Sequence, residues 1–188
     1  KWIDELAANC MPFVLLTNRY KDYPAVYCDD AFGVKQLVKH CRKRGGKSFV
    51  YVTISGGDCC LRRRTEFLKL VPDGKLIEGG LNIKDGERII DEVLRLHPDV
   101  VICGNDRVAI GLQKALRNAG IKIPEDIMIT GADNIELAEY CPVPLTTYNQ
   151  LPNKCGELCA GMILNFLQKQ KPLSTIKVKP EICIRNSA

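Results

Sequence analysis

The chain has 188 residues, 46% of them hydrophobic and 26% charged, and its 27 Lys and Arg against 22 Asp and Glu give a formal net charge of +5. That length holds one domain or two small lobes with a sizeable core, and the charge balance is too mild to require a nucleic-acid partner. No apolar run approaches the ~20 residues that a membrane-spanning helix needs, so no membrane partner is expected.

The first stretch, "WIDELAANCMPFVLLTN", reads as a helix, a Met-Pro break and a buried strand. From Val26 onward short β-branched runs alternate with longer amphipathic ones. "AVYCDD" precedes "AFGVKQLVKHCRKRG", where Phe32, Leu37, Val38 and Cys41 recur at helical spacing. "SFVYVTISGG" is a continuous apolar run closing on glycines, and "CLRRRTEFLKLV" is the next helical pattern. After the short strand "KLIEGGLN", the run "KDGERIIDEVLRLH" puts Ile89, Ile90, Val93, Leu94 and Leu96 on one face of a single helix that Pro98 ends. "DVVICGND" is another buried strand. It leads into the helix of "RVAIGLQKALRNAGIKIPED", stopped at Gly120, and then into the strand "IMITGAD".

Strand and helix alternating at this spacing predict right-handed βαβ units in a doubly wound, mostly parallel sheet, an α/β lobe covered on both faces. Ligands of such lobes bind beyond the carboxyl ends of the strands. The candidate positions are therefore Ser55-Gly56-Gly57, Gly79-Gly80-Leu81-Asn82, Gly104-Asn105-Asp106 and Gly131-Ala132-Asp133-Asn134. Glycine allows close backbone approach, and the Asn or Asp beside it can cap the following helix. Asp106 and Asn134 are placed for that capping role.

Beyond Asp133 the alternation changes. A short helix in "IELAEY" is followed by Pro142 and Pro144, which stiffen the chain, and "LTTYNQ" reads as an extended crossing segment. A long helix, "NKCGELCAGMILNFLQKQ", and a final strand, "TIKVKPEICIR", complete the chain. The expected organisation is a remnant of an N-terminal lobe over 1–25 and a C-terminal lobe over 26–145. A crossing strand and helix return to the first lobe over 146–172, and a last strand re-enters the C-terminal lobe over 173–188.

Ten cysteines without a C-x-x-C pair, beside only two histidines, point to reduced, packing thiols and not to a disulfide scaffold or a structural zinc site. Cys155 and Cys159, at i and i+4, read as small buried apolar residues. No signal peptide is recognised at the start, so the expected setting is cytoplasmic. An enzyme reading would need Cys59, Cys60 or Cys103 to act with His40 or His97. Both histidines sit at positions that read as surface, there is no phosphate-binding loop, and no enzyme activity or cofactor is expected.

Several segments resemble the effector-binding modules of the lactose-repressor and galactose-repressor family of bacterial regulators. They are "PFVLLTNR", "YCDDAFGVKQLVKH", the Arg-Arg-x-Glu-Phe run after the second strand, "ICGNDRVAIGLQKALRNAGIKIPEDIMITGADN", "PLTTYNQLPNKCGELCAGMIL" and "ICIRNSA". The resemblance covers nearly the whole chain and is most specific from Gly104 through Gln150. It implies a periplasmic-binding-protein-like type I fold, a three-layer αβα sandwich in two lobes, here with the N-terminal lobe incomplete.

It further implies a small polar effector (a sugar, nucleoside or purine) held by Arg63, Asn105, Asp133 and Gln150, with Thr17 or Asn18 facing it from a crossing strand. Leu81 stands where many members place an aromatic beside the ligand, and Glu66 stands where the family often has glycine. No metal is implied. A homodimer is, with DNA contacted only through a domain absent from this chain. An arginine fork, a carboxylate and two amides do offer the planar donors and acceptors that neighbouring hydroxyls or a base edge require. The alternative reading is a solute-binding protein that delivers a sugar to a transporter, against which ten cysteines without a signal peptide argue.

Overall fold

The computed structural model describes residues 2–188. In chain order the elements are α1 (Trp2–Ala8), β1 (Leu15–Leu16), β2 (Ala25–Cys28), α2 (Asp30–Lys43), β3 (Phe49–Thr53) and α3 (Asp58–Leu70). They continue with β4 (Lys75–Glu78), α4 (Ile83–Arg88), α5 (Ile90–Leu96), β5 (Val100–Cys103), α6 (Asp106–Asn118) and β6 (Met128–Thr130). The last are α7 (Leu137–Tyr140), β7 (Thr147–Asn149), α8 (Pro152–Lys169), β8 (Ile176–Val178) and β9 (Glu181–Cys183). The chain divides into two units, residues 1–29 with 151–179 and residues 30–150 with 180–188.

The larger unit is built on a parallel sheet in the order β4-β3-β5-β6. All four residues of β5 and the first four of β3 are buried, as expected of parallel strands covered on both faces. Alternation along β3 sorts the two layers. Val50 and Val52 join Val101, Cys103, Ile129, Val93, Leu112 and Leu116 in one core, while Tyr51 points the other way and packs on Phe67 of α3, ring centroids 5.1 Å apart. A two-stranded antiparallel sheet of β7 and β9 belongs to the same unit.

The smaller unit carries a parallel sheet in the order β1-β2-β8. Val26 and Val178 pack there with Cys155 of α8, and Val14, Leu158, Cys159, Met162 and Ile176 surround them. Cys155 is thus buried as expected, whereas Cys159 is only partly buried beside it. Near α1, Asp4 accepts hydrogen bonds from Lys21, Tyr20 and Tyr23, which hold its carboxyl down at about 2, with Lys21 the largest influence.

Three details differ from the sequence reading. The strand "AVYC" (β2) pairs with β1 and β8 and so sits in the smaller unit, not at the head of the lobe expected from Val26. "TIKVKPEICIR" is not one strand. Pro180, which has no N–H to donate, stands between β8 of the smaller unit and β9 of the larger, so the segment expected to begin in the C-terminal lobe at 173 reaches it only at 180. The single helix expected over 84–97 is broken at Ile89 (φ −86°, ψ 2°) into α4 and α5.

That break belongs with the contact between α4 and α6. A Cβ placed on Gly86 would collide with the backbone of Val108 and Leu112, and one on Gly111 with the carbonyl of Ile83. The two helices meet backbone to backbone, so α4 must follow α6 while α5 turns to bury Val93. Replacing Gly111 by alanine should cost about 1–3 kcal/mol or more, the range for overpacking a close contact. Chemical denaturation of the variant tests this, and an unchanged midpoint would show that the helices can separate freely.

At the entrance of α6 the expected cap is displaced by one residue. Asn105 is the N-cap, its side-chain oxygen accepting from the Val108 amide at 2.8 Å. Asp106 is the first helical residue and is fully buried. It accepts from the Thr147 hydroxyl at 2.6 Å and from the Ile135 amide at 2.9 Å, so it joins β7 to the segment after β6. Asn134 does not cap α7 either, since its side-chain oxygen accepts from Arg185 at 2.8 Å.

Burial raises the Asp106 carboxyl to about 7, against the opposing hydrogen bond from Thr147. Between its ordinary value and about 7, the folded state then binds more protons than the unfolded state. Stability should fall as pH rises through that window, by at most about 1.4 kcal/mol per pH unit from this one group. Unfolding curves between pH 4.5 and 7.5 should show that slope, and Asp106→Asn should flatten it.

Candidate functional site

The residues that come together lie at the start of α2, inside α3, just beyond β5 and β6, and along and just past β7, all within the larger unit. Their placement follows from backbone pairing. Beyond β6 the chain runs beside β7, with the Gly131 amide bonded to the Thr146 carbonyl at 2.9 Å and the Asp133 amide to the Tyr148 carbonyl at 3.0 Å. Asp133 is thereby brought next to Gln150, whose side-chain amide donates to its carboxylate. Both Asp133 (φ 111°) and Asn134 (φ 52°) occupy the left-handed region. Such strain persists only where surrounding bonds over-determine it, and it clusters at functional positions.

Arg63 is the centre of the cluster. It is 3% exposed, the only fully buried member of the Arg62-Arg63-Arg64 run. Its Nε donates to Asp30 at 2.8 Å, Nη1 to the Gly104 carbonyl at 2.5 Å, and Nη2 to Asp133 at 3.3 Å. The guanidinium lies 5.5 Å from the centroid of the Tyr148 ring, and the Tyr148 hydroxyl donates to Asp30 at 3.0 Å. Arg62 adds a bond to Asp30 at 2.8 Å and an ion pair with Asp58.

Burial works against the charge on Arg63, but Tyr148, Asp30 and Asp133 outweigh it and hold its pKa above the ordinary arginine range. For Asp133 burial wins, raising its carboxyl despite Arg63 and Gln150. The Asp133 side chain is one-third exposed, so part of its acceptor capacity faces out from the cluster.

The other candidates are placed differently. Asn105, 7% exposed, is held at both ends of its amide, accepting from Val108 and donating to the Leu81 carbonyl at 3.2 Å. Leu81 is 49% exposed, and its backbone N–H is pinned by Asp85 at 2.9 Å. Thr17 (φ 69°) and Asn18 belong to the smaller unit, just after β1, where Asn18 donates to the Thr17 hydroxyl at 3.2 Å.

Asp30 and Tyr148 were missed in the sequence. Signals for both were present, because "CDD" is itself a strand end, and Tyr148 is two residues from Gln150 in an extended run, hence on the same face. A separate cavity of about 390 Å³ lies beside the ends of β3 and β4, lined by Ser55, Cys60, Arg64 and Glu78 among others. Among the described residues, no group of three or more His, Cys, Asp or Glu is arranged to hold a metal ion, and no helix is long and apolar enough to cross a membrane.

A family model, the periplasmic binding protein-like domain, matches residues 38–188. The HTH-type transcriptional repressor PurR of Vibrio parahaemolyticus is 33% identical over 92% of this chain, which spans 59% of that relative's length. The ribose operon repressor of Escherichia coli is 33% identical over 63% of this chain and 37% of its own. Among solved structures, a LacI family transcriptional regulator from Enterococcus faecalis with bound ribose superposes with a TM-score of 0.89 at 28% identity, covering 98% of this chain and 71% of that one. The match over most of the chain carries one conclusion, and relatives that are transcriptional regulators in sequence and in structure agree with it: the chain belongs to the periplasmic binding protein-like domain family.

Proposed function

We propose that this module senses a small sugar, with ribose the first candidate, through the Asp133–Arg63–Gln150 cluster, and that it belongs to a homodimeric transcriptional regulator. The observation that carries the reading is the pairing of a fully buried arginine with a partly exposed carboxylate. Arg63 is bonded to Asp30 and Gly104, so its direction does not depend on a ligand. Asp133 keeps acceptor capacity toward the outside, and vicinal hydroxyls are donors that a carboxylate takes in pairs. Ribose leads because two similar solved regulators carry it, at 28% and 26% identity. Asn105 and Leu81 are further candidate contacts. The whole regulator would act on DNA through a separate domain, its effector shifting a conformational equilibrium by binding one state more tightly than the other.

The test is a titration of the protein with D-ribose, a hexose, a nucleoside and a purine base, read by calorimetry and by thermal unfolding. At a hundredfold excess over Kd, the true effector stabilises the fold by about 2.7 kcal/mol. Asp133→Asn should keep the fold while weakening ribose about tenfold to a hundredfold, as expected for a lost charged hydrogen bond. A response to the nucleoside or base alone would transfer the assignment to that class. A folded protein that responds to none of the four would sink the sensor reading.

A further inference from the structure

Two neighbouring thiols open α3, and nothing in the sensor reading uses them. Cys59 and Cys60 are both part-exposed, with their sulfurs 3.7 Å apart. Cys60 borders the 390 Å³ cavity, whose polar side is formed by Ser55, Arg64 and Glu78. We propose that Cys59 and Cys60 form a dithiol site for a monosubstituted trivalent arsenical, a centre that takes two protein sulfurs and carries its own third substituent into the adjoining cavity.

The spacing argues for a bridging centre over a direct sulfur–sulfur bond. Neighbouring residues have Cα atoms about 3.8 Å apart across a trans peptide, closer than the ~4.4–6.8 Å that disulfides take. A pyramidal arsenic bonded to both sulfurs holds them slightly closer than the 3.7 Å already found, so the pair needs only a small inward movement to take it. A structural metal is a poorer match, because no third His, Cys, Asp or Glu among the described residues completes a set. Reactivity follows from the surroundings. The hydrogen bond between the two sulfurs lowers the Cys59 thiol to about 6 against the effect of burial, helped by Arg63, while the same bond raises Cys60.

The reaction balances without an oxidant. An oxide R–As=O loses its oxygen as water, taking the two thiol protons, and two As–S bonds form. Cys155 is buried against Val26 and Val178, Cys159 is half-buried beside it, and burial raises both thiols. They make the natural control pair.

Phenylarsine oxide at one equivalent, added to the reduced protein and followed by intact mass and peptide mapping, tests the site. One adduct minus one water should map to Cys59–Cys60, resist a monothiol and be removed by a 1,2-dithiol. Cys60→Ser and Cys59→Ser should each weaken binding about a hundredfold, the scale of gain from a second tethered donor, while Cys155→Ser should change nothing. A first adduct mapping to Cys155–Cys159, or unchanged affinity in both Cys59→Ser and Cys60→Ser, overturns the proposal. None of these readouts involves a sugar, so they stand apart from the effector test.

Discussion

A buried guanidinium tolerates no loose ends, and the site is organised around that constraint. Arg63 has left water entirely, so its donors must be met by acceptors fixed in place. Asp30 at the start of α2, the Gly104 carbonyl after β5 and Asp133 after β6 meet them, with the Tyr148 ring against the guanidinium. Removing Asp30, the fully buried partner, would cost about 3–5 kcal/mol, because the Arg63 charge stays buried. The arrangement ties one helix start, two strand ends and a ring on β7 to a single side chain of α3. The outward part of Asp133 is thus set in direction before any ligand arrives, which lowers the ordering cost of binding.

A second network supports the first from behind. Asp106 joins the entrance of α6 to β7 through Thr147 and to the segment after β6 through Ile135. The end of the chain adds to it. Arg185 donates to Asn134 and to the Leu145 carbonyl, and the Ser187 hydroxyl donates to the Ile129 carbonyl at 2.6 Å. These bonds bracket Asp133 and Asn134, the two residues held in the left-handed region, and supply the over-determination that such backbone needs. The same low-dielectric setting that raises the Asp106 carboxyl also strengthens its hydrogen bonds, so the stability of this region is tied to one proton.

The close seam of α4 and α6 solves a different problem. Two glycines let the helices meet through their backbones, which brings Leu112 and Leu116 over the sheet while α5 swings to bury Val93. No periodicity of apolar residues announces this, since the two residues that matter have no side chain. That is why one continuous helix was expected where two are found.

What the sequence by itself determined is the class of fold and the list of places to look. Runs of β-branched residues separated by amphipathic segments specify parallel strands under helices, because each pattern can bury its apolar face in only one way. The rule that ligands meet strand ends then singles out the regions of Gly104 and Asp133. Local spacing also separates the helix of α8 from its surroundings. Only the tertiary structure decided which of three adjacent arginines is buried, and that Asp30 and Tyr148, 118 residues apart, share a hydrogen bond over it. It also decided that Asn105 caps α6 while Asp106 is withdrawn into the core, and that Pro180 divides the last strand between two units. The physical reason is common to all of these. Periodicity records whether a side chain leaves water, whereas the partner that satisfies a buried charge is chosen by strand order and by the crossing of elements far apart in the chain.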